Sequence, residues 1–557
     1  MNETTDPKFN EKPSEDGAGR TVFPKVELKR PWHTFISALA AGILMMLTWW
    51  NFNEPGLRLG LSVIIIGLFL SINLIIQEKK LKISTIILLL LTIATALISA
   101  YRREFVTVSI SILVSLVGLL LLSVDFMNGQ WWMYRIREYF KSVQLSVVGF
   151  FTGLPVVLSQ AIRQEKNHIT TNNQGKKLLS GILKGILIAL PVLLIFTALF
   201  SVADSIFESK VNSFTEWMRT ELIAELAGRI FLTLLFTWLL SAVLWMAISN
   251  SSQKIELGDD RPLIKPFLGM TETSIVLVSV NILFAFFLII QFRYFFAGEA
   301  NINLAGFTYA EYARRGFMEL LLVAAIAGVL YYLLASVTRR ETTTKRRLFS
   351  ILGATLLIQV GVVLVSAYQR INLYVDAYGL TEIRLVPQIF IYFLAIILTA
   401  LVMMEATGQM KRLALVLLVT LFLFSFTLSA VNIDESIARF NVERAVAGKE
   451  LDYQLLTNRL SDDAVPYLYG VLDSGSLPAK LQENLSKVMV CRSVLFENDH
   501  QRSTSSWIDW NYPTSRAEEL HEAHRSLKGS FPMQIIDTDF MAKGFQIEQV
   551  DLICDWN

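Results

Sequence analysis

Apolar residues along this chain come in runs of about twenty, divided by short stretches of charged and turn-forming residues. The runs fall near 33–50, 57–77, 83–100, 106–124, 178–203, 229–249, 271–295, 317–338, 348–368, 386–406 and 413–431. Each is long enough to cross a hydrocarbon core of ~30 Å as a helix. The expected fold is all-α, a polytopic membrane helix bundle of about eleven spans over residues 31–432. After Val431 the apolar positions thin to the helical period in "DESIARFNVERAVAG", "LDYQLLTNRLS", "DAVPYLYGVL" and "LPAKLQENLSKVMVCRSVLF", broken by Gly, Pro and Asp. Residues 433–557 are therefore expected to form a small, mostly helical domain. Residues 1–30 are polar and punctuated by Gly and Pro, as in a disordered tail.

Charge orients the pattern. Lys25, Lys29 and Arg30, then Lys79, Lys80 and Lys82, then Arg135, Arg137, Lys141, Lys176 and Lys177 fall in alternate loops. Lys254, Arg261 and Lys265, the run "RRETTTKRR" and the pair Lys411 and Arg412 continue the series. The positive-inside rule then puts the N-terminus in the cytoplasm and the 433–557 domain on the opposite side of the membrane. Residues 142–161 are apolar, yet basic on both flanks and interrupted by two glycines and Pro155. They are expected to form a re-entrant or interfacial helix, because a true crossing would invert everything downstream. The amphipathic stretch near 205–227 is expected to lie flat on the outer leaflet.

With 53% hydrophobic and 18% charged residues in 557, the composition excludes an ordinary soluble domain. The tail is acidic, 20 Asp and Glu against 12 Lys and Arg over 434–557, so the rest of the chain is basic. Cys491 and Cys554, the two cysteines, both lie in it. An oxidising exterior would let them pair; two buried free thiols are the alternative. Ionisable residues near span ends, such as Arg58, Arg293, Lys184 and Glu405, read as structural. "HEAH" (His521 to His524) lacks the spacing and third ligand of a zinc peptidase and reads as a surface helix. No phosphate loop, metal motif or nucleophile signature is present, so no cofactor and no metal is expected, and the basic loops need no nucleic-acid partner.

Candidate chemistry gathers on the outer side. If one helix carries Phe307 to Ala325, then Glu311, Arg315 and Glu319 stand at i, i+4 and i+8, with Tyr309, Tyr312 and Arg314 nearby. The loop "AYQRINLYVDAYGLTEIRLVP" adds Arg370, Tyr374, Asp376, Tyr378, Glu382 and Arg384, with Gly379 as a helix stop and Thr381 as a helix start. The tail begins with Asp434 and Arg439. Two readings stand: these residues clamp helix ends together, or they form a binding face.

The stretches "FTYAEYARRGFMELLLVA", "AYQRINLYVDAYGLTEIR", "VNIDESIARFNVERA", "LDYQLLTNRLSDDAVPYLYGVL" and "DWNYPTSRA" resemble a bacterial membrane family catalogued as a domain of unknown function, of the 4153/4173 type. The resemblance implies an inner-membrane protein with many spans and an outer helical tail, and it brings no catalytic residue. The expected function is a non-enzymatic envelope sensor, scaffold or assembly factor, with the bilayer and an envelope protein or lipid-linked molecule as partners. A membrane transferase or polymerase acting on a lipid-linked substrate is the second reading, and a transporter the third.

Overall fold

A computed structural model of the chain describes residues 28–50, 55–126, 128–168, 221–252, 266–296, 317–502 and 507–531. It also describes the strand residues 533–538, 542–547 and 553–554, and scattered positions between 185 and 211. The expected span at 178–203, the amphipathic stretch near 205–227 and the segment Tyr309 to Arg315 lie wholly or mostly outside these residues.

The described chain forms α1 (Pro31–Trp49), α2 (Arg58–Ile76), α3 (Ile83–Tyr101), α4 (Phe105–Asp125), α5 (Ile136–His168) and α6 (Glu221–Ser252). These are followed by α7 (Met270–Phe296), α8 (Phe317–Val337), α9 (Thr343–Tyr378), α10 (Glu382–Thr407) and α11 (Leu413–Val431). Ten helices among the described residues, all of these except α5, are long and apolar enough to cross a membrane. The protein is a polytopic helical bundle.

The bundle has two lobes. One core is built from α1–α6, with Phe69, Leu88, Leu121, Val157 and Leu244 at its centre. The other is built from α7–α10 around Leu277, Tyr331, Leu356 and Val360. Helix α11 joins them, since Leu418 and Phe422 belong to the first core and Leu413 to the second. Small and hydroxyl residues line the buried faces of the first lobe, where Gly118 lets α4 approach Thr92 of α3. Apolar burial supplies little attraction between helices in lipid, so such close approach does the packing. Thr92 and Ser115 return their hydroxyl hydrogens to Leu88 O and Ser111 O, each at 2.7 Å.

Two distinct ends result. At one, Lys29 meets Gln77 and Glu78, Ser84 meets Gly129, and Arg340 meets Glu405 at 2.7 Å. Both Arg135, just before α5, and Gln160, which accepts from Leu28 N at 2.8 Å, stand at this end. Gly228 of α6 packs against Trp50 at the other end. Helix α5 packs on α6, with Trp238 Nε1 donating to Phe150 O at 2.7 Å.

The tail sits on the second end. It comprises α12 (Ile433–Val446), α13 (Val465–Asp473), α14 (Ala479–Arg502) and α15 (Tyr512–Ala523), joined by short 3₁₀ and π turns. A three-stranded antiparallel sheet, β1 (Met533–Thr538), β2 (Ala542–Ile547) and β3 (Ile553–Cys554), ends the chain; sequence periodicity did not anticipate it. Asn432 makes the turn from α11 into α12. It adopts φ 50°, a left-handed conformation that asparagine tolerates, and its side chain accepts from Glu435 N at 3.2 Å to cap α12. The tail's apolar core does not close on itself: Ile433, Ile437, Val442 and Leu468 pack with Val375, Leu380, Ile389, Phe393 and Leu428 of the bundle.

Candidate functional site

Among the described residues the most developed polar structure is the junction between tail and bundle. It begins at the three-residue turn between α3 and α4, where Arg102, Arg103 and Glu104 are held between two apolar helices. Arg102 is extended, at ψ 148°, and Glu104 leads into α4 at φ −57° and ψ 128°. The tail covers this turn with "SDDA", Ser461 to Ala464.

Arg102 Nη1 lies 3.1 Å from Asp463 Oδ1, while its Nε donates to Ser429 O at 2.7 Å. The backbone N–H of Arg103 donates to Asp463 Oδ2 at 2.7 Å, and its Nη1 donates to Asp462 Oδ2 at 2.6 Å and to Thr514 Oγ1 at 2.7 Å. Glu104 is buried. It accepts from Thr107 Oγ1 at 2.6 Å and from the backbone N–H of Asp434 at 3.1 Å. Asp434 is buried in turn and accepts from Ser461 N at 2.6 Å. Behind this layer Arg492 reaches through the tail core and donates to Leu456 O, Leu460 O and Ser461 O at 2.8–2.9 Å. It thereby holds the turn that presents the two aspartates.

These carboxyls are not equivalent. Burial, reinforced by the neighbouring Asp463 carboxylate, pushes Glu104 up to about 8. Burial also raises Asp434 and Asp463 above the ordinary carboxylate range. Asp462 goes the other way: burial opposes its ionisation, but Arg103 and Arg492 outweigh it and hold the group below its usual value. The cluster therefore combines a firmly ionised aspartate with a glutamic acid that keeps its proton at neutral pH.

A second contact lies one helix away. Arg58, the first residue of α2, is 1% exposed. Its Nε donates to Asp509 Oδ1 at 2.7 Å, and its Nη1 donates to Thr48 O. Next to it Leu57 N donates to Ile508 O at 3.1 Å. Gly56 makes the approach feasible: its φ is +34°, and a Cβ there would stand 2.7 Å from Asp509 O.

The other lobe meets the tail differently. Gly379, at φ 81°, ends α9, and a Cβ on it would strike the Asn441 amide at 2.4 Å. That amide accepts from Leu380 N at 3.0 Å and donates to Leu380 O at 2.7 Å. Arg444 Nη2 donates to Asp376 O and Ala377 O at 3.1 and 3.2 Å, a cation on the carbonyl end of α9.

The expected outer-face residues separate into several places. Tyr309, Glu311, Tyr312, Arg314 and Arg315 lie outside the described residues. Glu319 is exposed on the first turn of α8. Arg370 donates to Gln291 Oε1 of α7 at 2.9 Å. Arg384 stacks 4.0 Å above the Tyr374 ring and lies 5.8 Å from Tyr378, while its Nη1 donates to Gly379 O. Asp376 and Tyr378 are exposed and Glu382 is half-buried at the head of α10. Arg439 pairs with Glu435 on the exposed side of α12 at 2.8 Å, and Asp434 alone of this set enters the buried junction.

Sequence reasoning named Arg58 only as a structural residue near a span end, and it passed over Arg102, Arg103, Glu104, Asp462, Asp463 and Asp509. The signal available was charge complementarity, a basic turn between apolar helices set against aspartates in an acidic tail. His521 also differs from its surface reading: it is buried and shares a 2.8 Å hydrogen bond with Tyr469 Oη. His524 stacks on the same ring at 4.1 Å and lies 3.0 Å from Asp473. Cys491 is buried and disulfide-bonded, and Cys554 is the chain's other cysteine. Among the described residues no group of three or more His, Cys, Asp or Glu side chains could hold a metal ion.

Fold and junction together define a multi-pass membrane protein whose C-terminal tail is built onto one end of its bundle. A family model described as a domain of unknown function, DUF4153, matches residues 85–470, and the chain belongs to that family. The match runs from α3 to α13 and so takes in the basic turn and the Asp462–Asp463 pair that meets it. No curated protein and no solved structure matches the chain.

Proposed function

We propose that this protein is a non-catalytic envelope scaffold or sensor, in which the bundle holds the tail on the outer face of the membrane as a platform for an envelope partner. The observation that carries the reading is the buried junction. Arg58, Arg102 and Arg103 meet Asp509, Asp463 and Asp462, so the polar groups best placed for chemistry are spent on holding the tail. Orientation follows from the basic residues. Lys79, Lys80, Lys82, Arg135, Arg339, Arg346, Arg347, Lys411 and Arg412 belong to the end opposite the tail, which supports a cytoplasmic position for that end.

Two experiments test the reading. A periplasm-active reporter fused after Asn557 should be active, and one inserted near Lys345 inactive; the reverse pattern overturns the orientation. A photo-crosslinking residue at exposed tail positions such as Ser474 or Lys480 should give an adduct above 63.0 kDa in living cells. That adduct should weaken in Arg58→Ala at equal expression. Absence of an adduct from every exposed tail position overturns the scaffold reading.

A further inference from the structure

The segment "WIDWNY", Trp507 to Tyr512, alternates in a way the junction alone does not require. Asp509 turns inward onto Arg58, and Asn511 turns inward to cap α15, accepting from Thr514 N at 3.0 Å. Trp507, Trp510 and Tyr512 turn outward and are 70%, 46% and 44% exposed. The charged and amide groups of this loop face protein, while Trp507 and Trp510 face away from it and Tyr512 stays half-exposed.

The depth of the loop is fixed by its partners. Ile508 O accepts from Leu57 N, and Asp509 pairs with Arg58, the first residue of a 19-residue span. At about 1.5 Å per residue that helix is about 28 Å long, the thickness of the hydrocarbon core. Residues bonded to its first turn therefore stand at the boundary between hydrocarbon and headgroups. Tyr512 stacks on Tyr101, the last residue of α3, with ring centroids 5.5 Å apart and planes 15° from parallel. Tyr101 itself is 54% exposed, and Phe105, which opens α4, is 79% exposed on the bundle's flank.

We infer that Trp507, Trp510 and Tyr512 form a membrane-interface anchor through which the tail rests on the lipid surface beside α2–α4. Indole and phenol suit that zone, each having an apolar body for the acyl boundary and a polar tip for the headgroups. The inward turn of Asp509 and Asn511 leaves the lipid-facing side of the loop without charge. The occupant is the bilayer interface and not a protein groove, because the loop continues a rim already set by the span ends at Tyr101 and Phe105. The tail is then held twice, by Arg58 to the bundle and by its aromatics to the lipid.

The test uses the full chain reconstituted in phosphatidylcholine vesicles with no other protein present. Trp507→Cys and, separately, Trp510→Cys are labelled with a nitroxide, with the unsubstituted chain giving the background from the native cysteines. Collision rates with oxygen, which concentrates in lipid, and with a water-soluble nickel chelate are then compared. Labels at Phe105→Cys and at the exposed tail position Ser474→Cys give the lipid and water references. Both aromatic positions should show an oxygen-to-nickel ratio several-fold above that at 474 and approaching that at 105. A ratio at 507 and 510 equal to that at 474 overturns the anchor and assigns the exposed aromatics to a protein partner instead. Trp507 is largely exposed and Trp510 nearly half exposed, so neither substitution empties a core site, and the readout does not depend on which leaflet the tail faces.

Discussion

The tail rests on two lobes and grips them by different physics. Against the first lobe the contact is ionic and mostly buried, with Arg58 on Asp509, Arg102 on Asp463, Arg103 on Asp462, and the Glu104 carboxyl under the backbone of Asp434. Against the second it is apolar, with Ile433, Ile437 and Val442 packed on Val375, Leu380, Ile389 and Phe393. Its polar contacts there, from Asn441 and Arg444, go to backbone carbonyls and one backbone N–H. The covalent link, where α11 turns into α12 at Asn432, lies on the helix that joins the two lobes. A perturbation of charge should therefore lift the tail from α2–α4 while leaving it seated on α9–α11. A perturbation of packing should loosen the other side.

The largest effect is expected from Arg58→Ala. It removes a buried guanidinium from a buried carboxylate, a change that costs about 3–5 kcal/mol because the remaining charge keeps its desolvation penalty. Limited proteolysis in nanodiscs should cut between α14 and α15 in the variant and spare the parent, with Arg58→Lys between the two.

Next comes pH, which should set the junction's raised carboxyls against the tail's interior by sign. Asp462, held low by Arg103 and Arg492, weakens on the acid side with the interior. Glu104, Asp434 and Asp463 bind protons more tightly docked than exposed. Their contribution to docking is then complete below the free carboxyl range. It is lost as pH rises from 4.5, the ordinary value of Glu104, through about 8. His521 behaves oppositely. Burial pushes it down to about 4 from 6.5, so the tail's own fold should weaken as pH falls through that window. Protease sensitivity should appear first at the α3–α4 turn on the alkaline side and within α13–α15 on the acid side. Glu104→Gln should remove most of the alkaline loss.

Smaller still, Ile437→Val removes one methylene from a fully buried site on the apolar side and should destabilise the tail by about 1 kcal/mol. Raising salt should leave that effect unchanged in thermal unfolding. The least effect belongs to Arg439→Ala, an exposed i, i+4 pair with Glu435, at about 0–1 kcal/mol.

The contrast between the sides also explains what could be read from sequence. Helix length and apolarity are local properties, so the spans were legible as runs of about twenty residues. Local signals also marked Gly379 and Thr381, which flank the α9–α10 turn as helix stop and helix start. What periodicity cannot carry is partnership across the chain. Arg103 finds Asp462 359 residues away, and Arg58 finds Asp509 451 residues away. Read alone, Arg58 looks like a boundary arginine reaching for water, and Asp509 like a surface acid in a polar loop. Arg370, Tyr374 and Tyr378 share one helix because α9 runs on for 36 residues. The partners of Arg370 and Arg384, Gln291 and the carbonyl of Gly379, were not legible. The terminal sheet escaped because it too is a partnership between segments, with Met533 to Thr538 pairing Ile547 to Ala542.

The central claim is that the first lobe holds the tail by buried charge. Hydrogen–deuterium exchange of the full chain in nanodiscs addresses it directly, through the amides of Arg103, Asp434 and Ser461, whose N–H groups are bonded across or within the junction. In the unaltered protein these amides should exchange as slowly as the interior of α12. In Arg58→Ala, peptides covering 101–104 and 461–464 should speed up while those covering 376–382 stay protected. Fast exchange at 461–464 in the unaltered protein, or equal loss of protection at 376–382 in the variant, would contradict the account.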